Sequence, residues 1–291
     1  MDALEIFLSG RFYSLFWLLF LCIFSILYWL GTKKFSQKTG EVWSRKCTLA
    51  FSVAVSLTLL VTQGPIGQYA TVFFWCHMVQ HLTLMMVVAP LVVMSNPVKL
   101  LVASGSENSF AVRLASSFFN SRIWQGLTNA ITSWILYVFV LISVHFTGVH
   151  ATAMDSWTFH TFFEIPLYLI VGIIYYYPIF GDNPCANRLS PGMRIVSLMA
   201  MMAPETMSGF FIYAHQELII SHQHMPGMDM GPGFGPSPLV DQQIAGSLLW
   251  AFSMVIDSVW IALAASMWFR SEKFSTDVSA SSNALEVVAD D

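Results

Sequence analysis

Residues 69–95 read YATVFFWCHMVQHLTLMMVVAPLVVMS, a run without aspartate, glutamate, lysine or arginine. A helix needs roughly 20 apolar residues to cross a hydrocarbon core of about 30 Å, so this stretch is long enough to span a membrane. The rest of the chain has the same character, because 56% of its 291 residues are hydrophobic and only 10% are charged. The sequence therefore predicts an integral membrane protein.

Other apolar runs of similar length precede and follow this one. They are continuous and rich in leucine and phenylalanine, whereas the strands of a membrane barrel would alternate apolar and polar residues. We predict an all-α polytopic membrane protein, a bundle of seven transmembrane helices at residues 12–31, 47–63, 69–95, 132–149, 159–180, 195–214 and 242–269. Residues 1–270 then form a single domain, and residues 271–291 are predicted to be a disordered cytoplasmic tail.

The basic residues predict the orientation of the bundle. All 13 lysine and arginine residues except Arg11 fall on one side of the threaded spans. Positive residues in short loops stay on the cytoplasmic side, so we expect the N-terminus outside and the C-terminus in the cytoplasm. The basic residues form no continuous patch, and nothing indicates a nucleic-acid partner.

Two histidines in the quoted stretch could bind a metal ion. His77 and His81 are four residues apart, so their side chains lie on one helical face and can reach the same ion. Gln80 flanks them within the span. A histidine buried in a membrane can also simply hydrogen-bond a neighbouring helix, and that interpretation stays open for each residue.

Further candidate ligands fall on the same side of the membrane. His145 ends the fourth predicted span, and His160 begins the fifth with Glu164 one turn below it. These residues could instead be a local helix-start pair and an interfacial histidine. Their common side of the membrane favours a cluster assembled from several helices.

The last outer loop, residues 215–240, is rich in histidine, methionine, glycine and proline. Imidazole binds several late first-row metals, whereas thioether selects soft ions, so this mixture points to copper and in particular to Cu(I). Such a flexible segment would capture and pass on an ion rather than lock it in place. An ordinary polar loop that contains methionine is the alternative. The candidate ligands are His222, His224, Met225, Met228 and Met230.

The seventh span contains polar groups of its own. It opens with Asp241 and Gln242, and Asp257 lies deeper within it. A carboxylate inside a membrane indicates a proton or cation site or a bond between helices, and the sequence does not choose among them. Prolines within the spans can open helices and free carbonyl groups to line a cavity. They are Pro90, Pro166 and Pro204.

Several short motifs resemble the bacterial cytochrome c oxidase assembly factors of the CtaG type, which are associated with caa-type oxidases. The matching stretches run in family order over residues 65–265. They are HMVQH at 77–81, APL at 89–91, NP at 96–97, His160 with Gly172, YPIFGDNP at 177–184, SPG at 190–192, and DQQIAG at 241–246 through Trp250. Functional positions carry over to His77, Gln80, His81, His160, Asp241 and Gln242.

The resemblance implies a multispanning protein of the bacterial cytoplasmic membrane that helps load copper into the oxidase. Its expected partners are cytochrome c oxidase subunits, an extracytoplasmic copper donor and the lipid bilayer. Loop 215–235 does not match the family pattern, so its copper role rests on composition. No nucleotide-binding loop or nucleophile-base pair is evident, and we expect no enzyme. Two alternatives stay open: a haem-ligating redox protein and a copper permease or resistance protein.

Overall fold

The structure is a computed structural model that describes residues 14–106, 108–146, 149, 152, 156–182, 187–219 and 235–289. Within these ranges the chain is helical and contains no strand, so the all-α prediction is confirmed. The helices are α1 (Leu15–Thr39), α2 (Arg45–Thr62), α3 (Gly64–Tyr69), α4 (Phe74–Leu82), α5 (Ala89–Met94), α6 (Pro97–Ser104), α7 (Phe110–Phe119), α8 (Arg122–Leu127), α9 (Ala130–Phe146), α10 (Trp157–Phe159), α11 (Ile165–Phe180), α12 (Pro191–Ala214), α13 (Pro238–Ser247) and α14 (Ser253–Ala289).

Six continuous helical segments of the described chain are long and apolar enough to cross a membrane. They are Leu15–Thr39, Arg45–Thr62, Phe74–Ser104, Trp157–Phe180, Pro191–Ala214 and Pro238–Arg270. Helix α9 lies where the fourth span is predicted but has 17 residues, which gives about 26 Å at the α-helical rise. A membrane protein is therefore supported, and a seventh span stays a prediction.

Helix α14 is longer than the apolar run that begins it. It continues to Ala289, so residues 271–289 are helical here, whereas their composition predicted a disordered tail. The segment has no glycine or proline to stop a helix that is already nucleated, and alanine has the highest helix propensity. The division of the chain at residue 270 stays a prediction.

Helix α11 lies at the centre of the bundle. It packs against α9, α5 and the turn that precedes α5, and it contributes the fully buried Tyr168 and Tyr176 to the main core. By contrast, α1 keeps Leu19, Ile23 and Leu27 exposed. A helix with several large apolar side chains exposed is suited to face lipid.

Three of the spans contain a π-helical turn, at Thr83–Val88, His160–Glu164 and Leu248–Phe252. Pro90 and Pro166 follow the first two turns closely. Proline has no N–H and its ring clashes with the carbonyl one turn earlier, which loosens the helix at that point. The predicted opening of helices at these prolines thus takes the form of a wider turn.

Tryptophan side chains satisfy carbonyl groups that the two prolines leave free. The Met86 carbonyl lies four residues before Pro90 and accepts the indole N–H of Trp260 at 2.8 Å. The Thr161 carbonyl lies five residues before Pro166, which is the π-helical spacing, and accepts the indole N–H of Trp17 at 3.2 Å. These two carbonyls therefore join helices together and do not line a cavity.

Replacing Trp260 with phenylalanine should destabilise the bundle by about 1–3 kcal/mol, because the buried Met86 carbonyl loses its donor. The penalty should shrink in a Pro90→Ala background, where residue 90 regains an N–H for that carbonyl. Unfolding in detergent of the two single variants and the double variant measures this coupling. An equal cost of Trp260→Phe in both backgrounds would rule out the link between proline and tryptophan.

Helices α12 and α13 approach each other through glycine. A Cβ atom on Gly209 would lie 2.5 Å from the Trp250 backbone nitrogen and 2.8 Å from the Gly246 carbonyl oxygen. A Cβ atom on Gly246 would lie 2.5 Å from the Tyr213 nitrogen. Small residues are the usual means by which membrane helices bring their backbones together. The close packing of these helices therefore depends on glycine at both positions.

Candidate metal centre

A buried carboxylate, Glu164, is the centre of a cluster of polar side chains. It ends the π-helical turn that begins at His160, and its Oε2 atom lies 2.6 Å from His160 Nδ1. Its other oxygen, Oε1, accepts the Tyr168 hydroxyl at 2.6 Å. The carboxylate is fully buried, so these contacts replace the water that it loses.

Helix α4 brings His77 to the same carboxylate. The His77 Nε2 atom lies 3.4 Å from Glu164 Oε1 and 3.2 Å from the Tyr168 hydroxyl oxygen. One ligand atom from each of His77, His160 and Glu164 can be chosen so that all lie within 4.8 Å of one another. The structure thus brings together two predicted metal ligands, His77 and His160, and the predicted supporting carboxylate Glu164 from two different spans.

Two more histidines extend the cluster. The rings of His81 and His145 meet edge to face with centroids 5.0 Å apart, and the His81 ring lies 4.3 Å from that of Tyr168. All four histidines are buried. We call His77, His81, His145, His160, Glu164 and Tyr168 the histidine cluster.

The hydrogen bonds within the cluster favour particular tautomers. His160 donates from Nδ1 to Glu164, and His145 donates from Nδ1 to the Leu141 carbonyl at 2.7 Å. In each ring the lone pair is then on Nε2. Metal-binding histidines are commonly held in this way, by a carboxylate or a carbonyl group on the other nitrogen.

Two rings of the cluster have ligand atoms without a described partner. The Nε2 atom of His160 and both ring nitrogens of His81 are buried and receive no hydrogen bond from the residues that the structure describes. Leaving such atoms unpaired costs about 1–3 kcal/mol each. Imidazole rings with such unpaired nitrogens, next to a carboxylate, suit a late first-row metal ion.

Asp241 positions the helix that carries His77 and His81. Its two carboxylate oxygens accept the backbone N–H groups of Phe74 and Trp75 at 2.8 and 2.9 Å. These N–H groups belong to the first turn of α4 and have no partner within the helix. The negative charge also favours the positive end of the helix dipole. Asp241 therefore acts as a cap supplied by another helix.

Gln80 and Gln242 are likewise structural ties. Gln80 donates to the Val61 carbonyl at 2.7 Å and joins α4 to the end of α2. Gln242 accepts the Ile219 N–H at 2.8 Å and donates to the Glu217 carbonyl at 3.1 Å. It thereby holds the first residues of loop 215–240, directly after α12.

The remaining predicted residues lie elsewhere. His222, His224, Met225, Met228 and Met230 are outside the described residues, so their predicted role is untested by the geometry. Asp257 is fully buried in α14 beside the carboxyl group of Glu205 and is not among the residues of the histidine cluster.

Sequence reasoning missed Tyr168 and Glu205. Tyr168 falls one turn after Glu164 on a helix whose other tyrosines serve as core, so no local signal marks it. Glu205 had a usable signal, since it is a carboxylate inside an apolar span.

Comparisons with known proteins cover most of the chain. Three uncharacterised mycobacterial proteins are similar to it, and two are 23% identical over 246 residues, from Mycobacterium bovis and Mycobacterium tuberculosis. A third, from Mycobacterium leprae, is 25% identical over 241 residues. Each comparison covers 81% of this chain but 36% of the relative, so the chain spans about a third of the length of these relatives. No solved structure matches.

The fold and the cluster define a helical membrane protein with a buried histidine and carboxylate centre. Residues 26–271 match the cytochrome c oxidase caa3 assembly factor family (Caa3_CtaG). The chain belongs to this family, and the resemblance read from the sequence motifs is confirmed.

Proposed function

We propose that the protein helps load copper into cytochrome c oxidase and that the histidine cluster holds the ion before it is handed over. Family membership supports a role in assembly of the oxidase. The observation that carries the copper proposal is the cluster itself, in which two buried imidazoles contact one carboxylate and two more buried imidazoles lie beside them. Copper is the cargo here, bound transiently, and the protein acts by binding rather than by catalysis.

The proposed route begins at loop 215–240. In the predicted orientation, with the N-terminus outside and the C-terminus cytoplasmic, this loop faces the extracytoplasmic side of the bacterial cytoplasmic membrane. His222, His224 and the three loop methionines would collect Cu(I) from a donor, and the cluster would receive it. Selection of copper over zinc rests on those methionines, because imidazole and carboxylate ligands serve several metals.

The spacing within the cluster favours a small ion over haem. The rings of His77 and His160 have centroids 5.4 Å apart, and Glu164 contacts both of them. A macrocycle between these two rings would have to displace that carboxylate. The haem-ligating alternative therefore has less support than a metal-ion site.

The double variant His77→Ala, His81→Ala should yield an oxidase that contains its subunits and haem but lacks copper. Removing two imidazoles takes away half of the nitrogen ligands of the cluster. The measurement is elemental copper and haem content of the oxidase purified from cells that express the variant. A fully metallated oxidase would overturn the proposal.

His215→Ala is the matched control. The His215 ring stacks on Phe211 rather than on the cluster, so this variant should support a copper-replete oxidase. Copper accumulation inside vesicles that contain the purified protein would instead identify a permease. A Soret band in the purified protein would identify a haem protein.

A further inference from the structure

Two carboxyl groups lie buried near the middle of the bundle, apart from the histidine cluster. Glu205 of α12 is 1% exposed and Asp257 of α14 is 0% exposed. They face each other closely enough for a hydrogen bond between the carboxyl groups. Tyr137, which contacts Glu205, precedes His145 on α9 by eight residues, or about 12 Å of helix. The pair is therefore a separate site.

The hydrogen bonds around the pair leave it short of donors. The Tyr137 hydroxyl donates to Glu205 Oε1 at 3.1 Å. Neither oxygen of Asp257 receives a hydrogen bond from an N–H or O–H group of the described residues, and nor does Glu205 Oε2. Two ionised carboxylates can only accept hydrogen bonds, so the close pair needs a positive charge between its members.

We propose that Glu205 and Asp257 form a proton-binding site that holds one proton between the two carboxyl groups. Burial of two unpaired carboxylates in a medium of low polarity is far costlier than protonation of one of them. The shared proton supplies the missing donor: the acid O–H of one group donates to the carboxylate oxygen of the other. The pair then carries a single negative charge.

The surroundings suit a proton better than a metal ion. Calcium and magnesium ions take six or more oxygen ligands, and copper prefers nitrogen and sulfur. The titratable groups that face the pair are Tyr137 of α9 and Tyr175 and Tyr176 of α11. The Tyr175 hydroxyl already donates to the Ser197 carbonyl at 3.0 Å. Among the described residues, no lysine, arginine or histidine faces the pair to neutralise it.

A proton held in the native state and absent from the unfolded chain makes stability depend on pH. The native state binds one more proton than the unfolded state wherever free carboxyl groups are ionised but the pair keeps its proton. Stability must then fall as pH rises, by a factor of ten in the unfolding equilibrium per pH unit for one proton. The phenols of the three tyrosines stay protonated on both sides of this comparison near neutral pH.

Infrared spectroscopy of the detergent-solubilised protein near neutral pH tests the proposal. Exposed carboxyl groups are ionised there, so the carbonyl stretch of a protonated carboxylic acid reports a buried acid. We expect one such band, shifted in deuterium oxide and lost in the Glu205→Gln, Asp257→Asn double variant. Absence of the band in the wild-type protein, or its persistence in the double variant, would overturn the proposal.

Two further measurements keep the test decisive. Glutamine at position 205 resembles the protonated acid, because its amide N–H can donate to Asp257, so Glu205→Gln should fold and lose the tenfold dependence of unfolding on pH. If Glu205→Gln kept the pH dependence of unfolding, the proposal of a shared proton would be wrong. Titration of the wild-type protein with sodium, potassium, calcium or magnesium ions should leave the infrared band unchanged. If one of these ions abolished the band, the pair would be a metal-ion site and the proposal would be wrong.

Discussion

Replacement of Glu164 with glutamine is expected to leave a folded protein that binds copper about 10–100-fold more weakly. Glutamine has the volume of glutamate and keeps one oxygen acceptor, but it removes the negative charge that contacts His77 and His160. A cation bound beside neutral imidazoles then loses its only buried counter-charge among the described residues of the cluster. Competition with a Cu(I) chelator, using the purified protein, measures the change.

Two other variants separate charge from packing at this position. Tyr168→Phe removes one hydroxyl donor to Glu164 but keeps the carboxylate and the ring that packs on His81, so copper affinity should fall much less. Glu164→Ala removes the acceptor of His160 Nδ1 and of the Tyr168 hydroxyl, and we expect a loss of about 1–3 kcal/mol of stability for each buried donor that is left unsatisfied. If the wild type and Glu164→Gln bound copper with equal affinity, Glu164 would not be part of the metal centre.

Gly209→Ala should strongly destabilise the packing of α12 against α13. The added Cβ would meet backbone atoms at 2.5 and 2.8 Å, and backbone cannot rotate away as a side chain can. Overpacking of well-packed interiors costs about 1–3 kcal/mol and sometimes more, and we expect at least the upper part of that range. Thermal unfolding in detergent measures the effect.

Gly192→Ala is the matched control on the same helix. A Cβ atom at Gly192 meets nothing within 4 Å, and alanine is favoured over glycine in helices by up to about 1 kcal/mol. This variant should be neutral or slightly more stable than wild type. If both alanine variants had the same stability, the close approach of α12 and α13 would not depend on Gly209.

Composition and hydrophobic runs were sufficient to predict the helical membrane class. Six of the predicted spans overlap the six long apolar helices of the described chain, because apolar length is a property of local sequence. Composition and hydrophobic runs could not predict the π-helical turns or the tryptophan bonds to Met86 and Thr161, since these depend on which helices become neighbours.

The candidate site was predicted in part. The position of His77, His81, His145 and His160 on one side of the membrane indicated that several helices contribute to one cluster, and the structure brings these four rings together. The roles of Asp241 and Gln242 could not be read from sequence, because their partners are backbone groups of distant helices. Asp257 was recognised as unusual, but its partner Glu205 was not.

The π-helical turns also mean that the number of residues in a span determines the direction in which its histidine side chains point. Each such turn contains one residue more than an α-helical turn, and one residue corresponds to a rotation of about 100° around the helix axis. Deletion of a single residue between His81 and Pro90 could restore regular α-helix, yet it would swing His77 and His81 away from Glu164 without altering any ligand. Among related chains, this segment should therefore vary in residue type much more freely than in length.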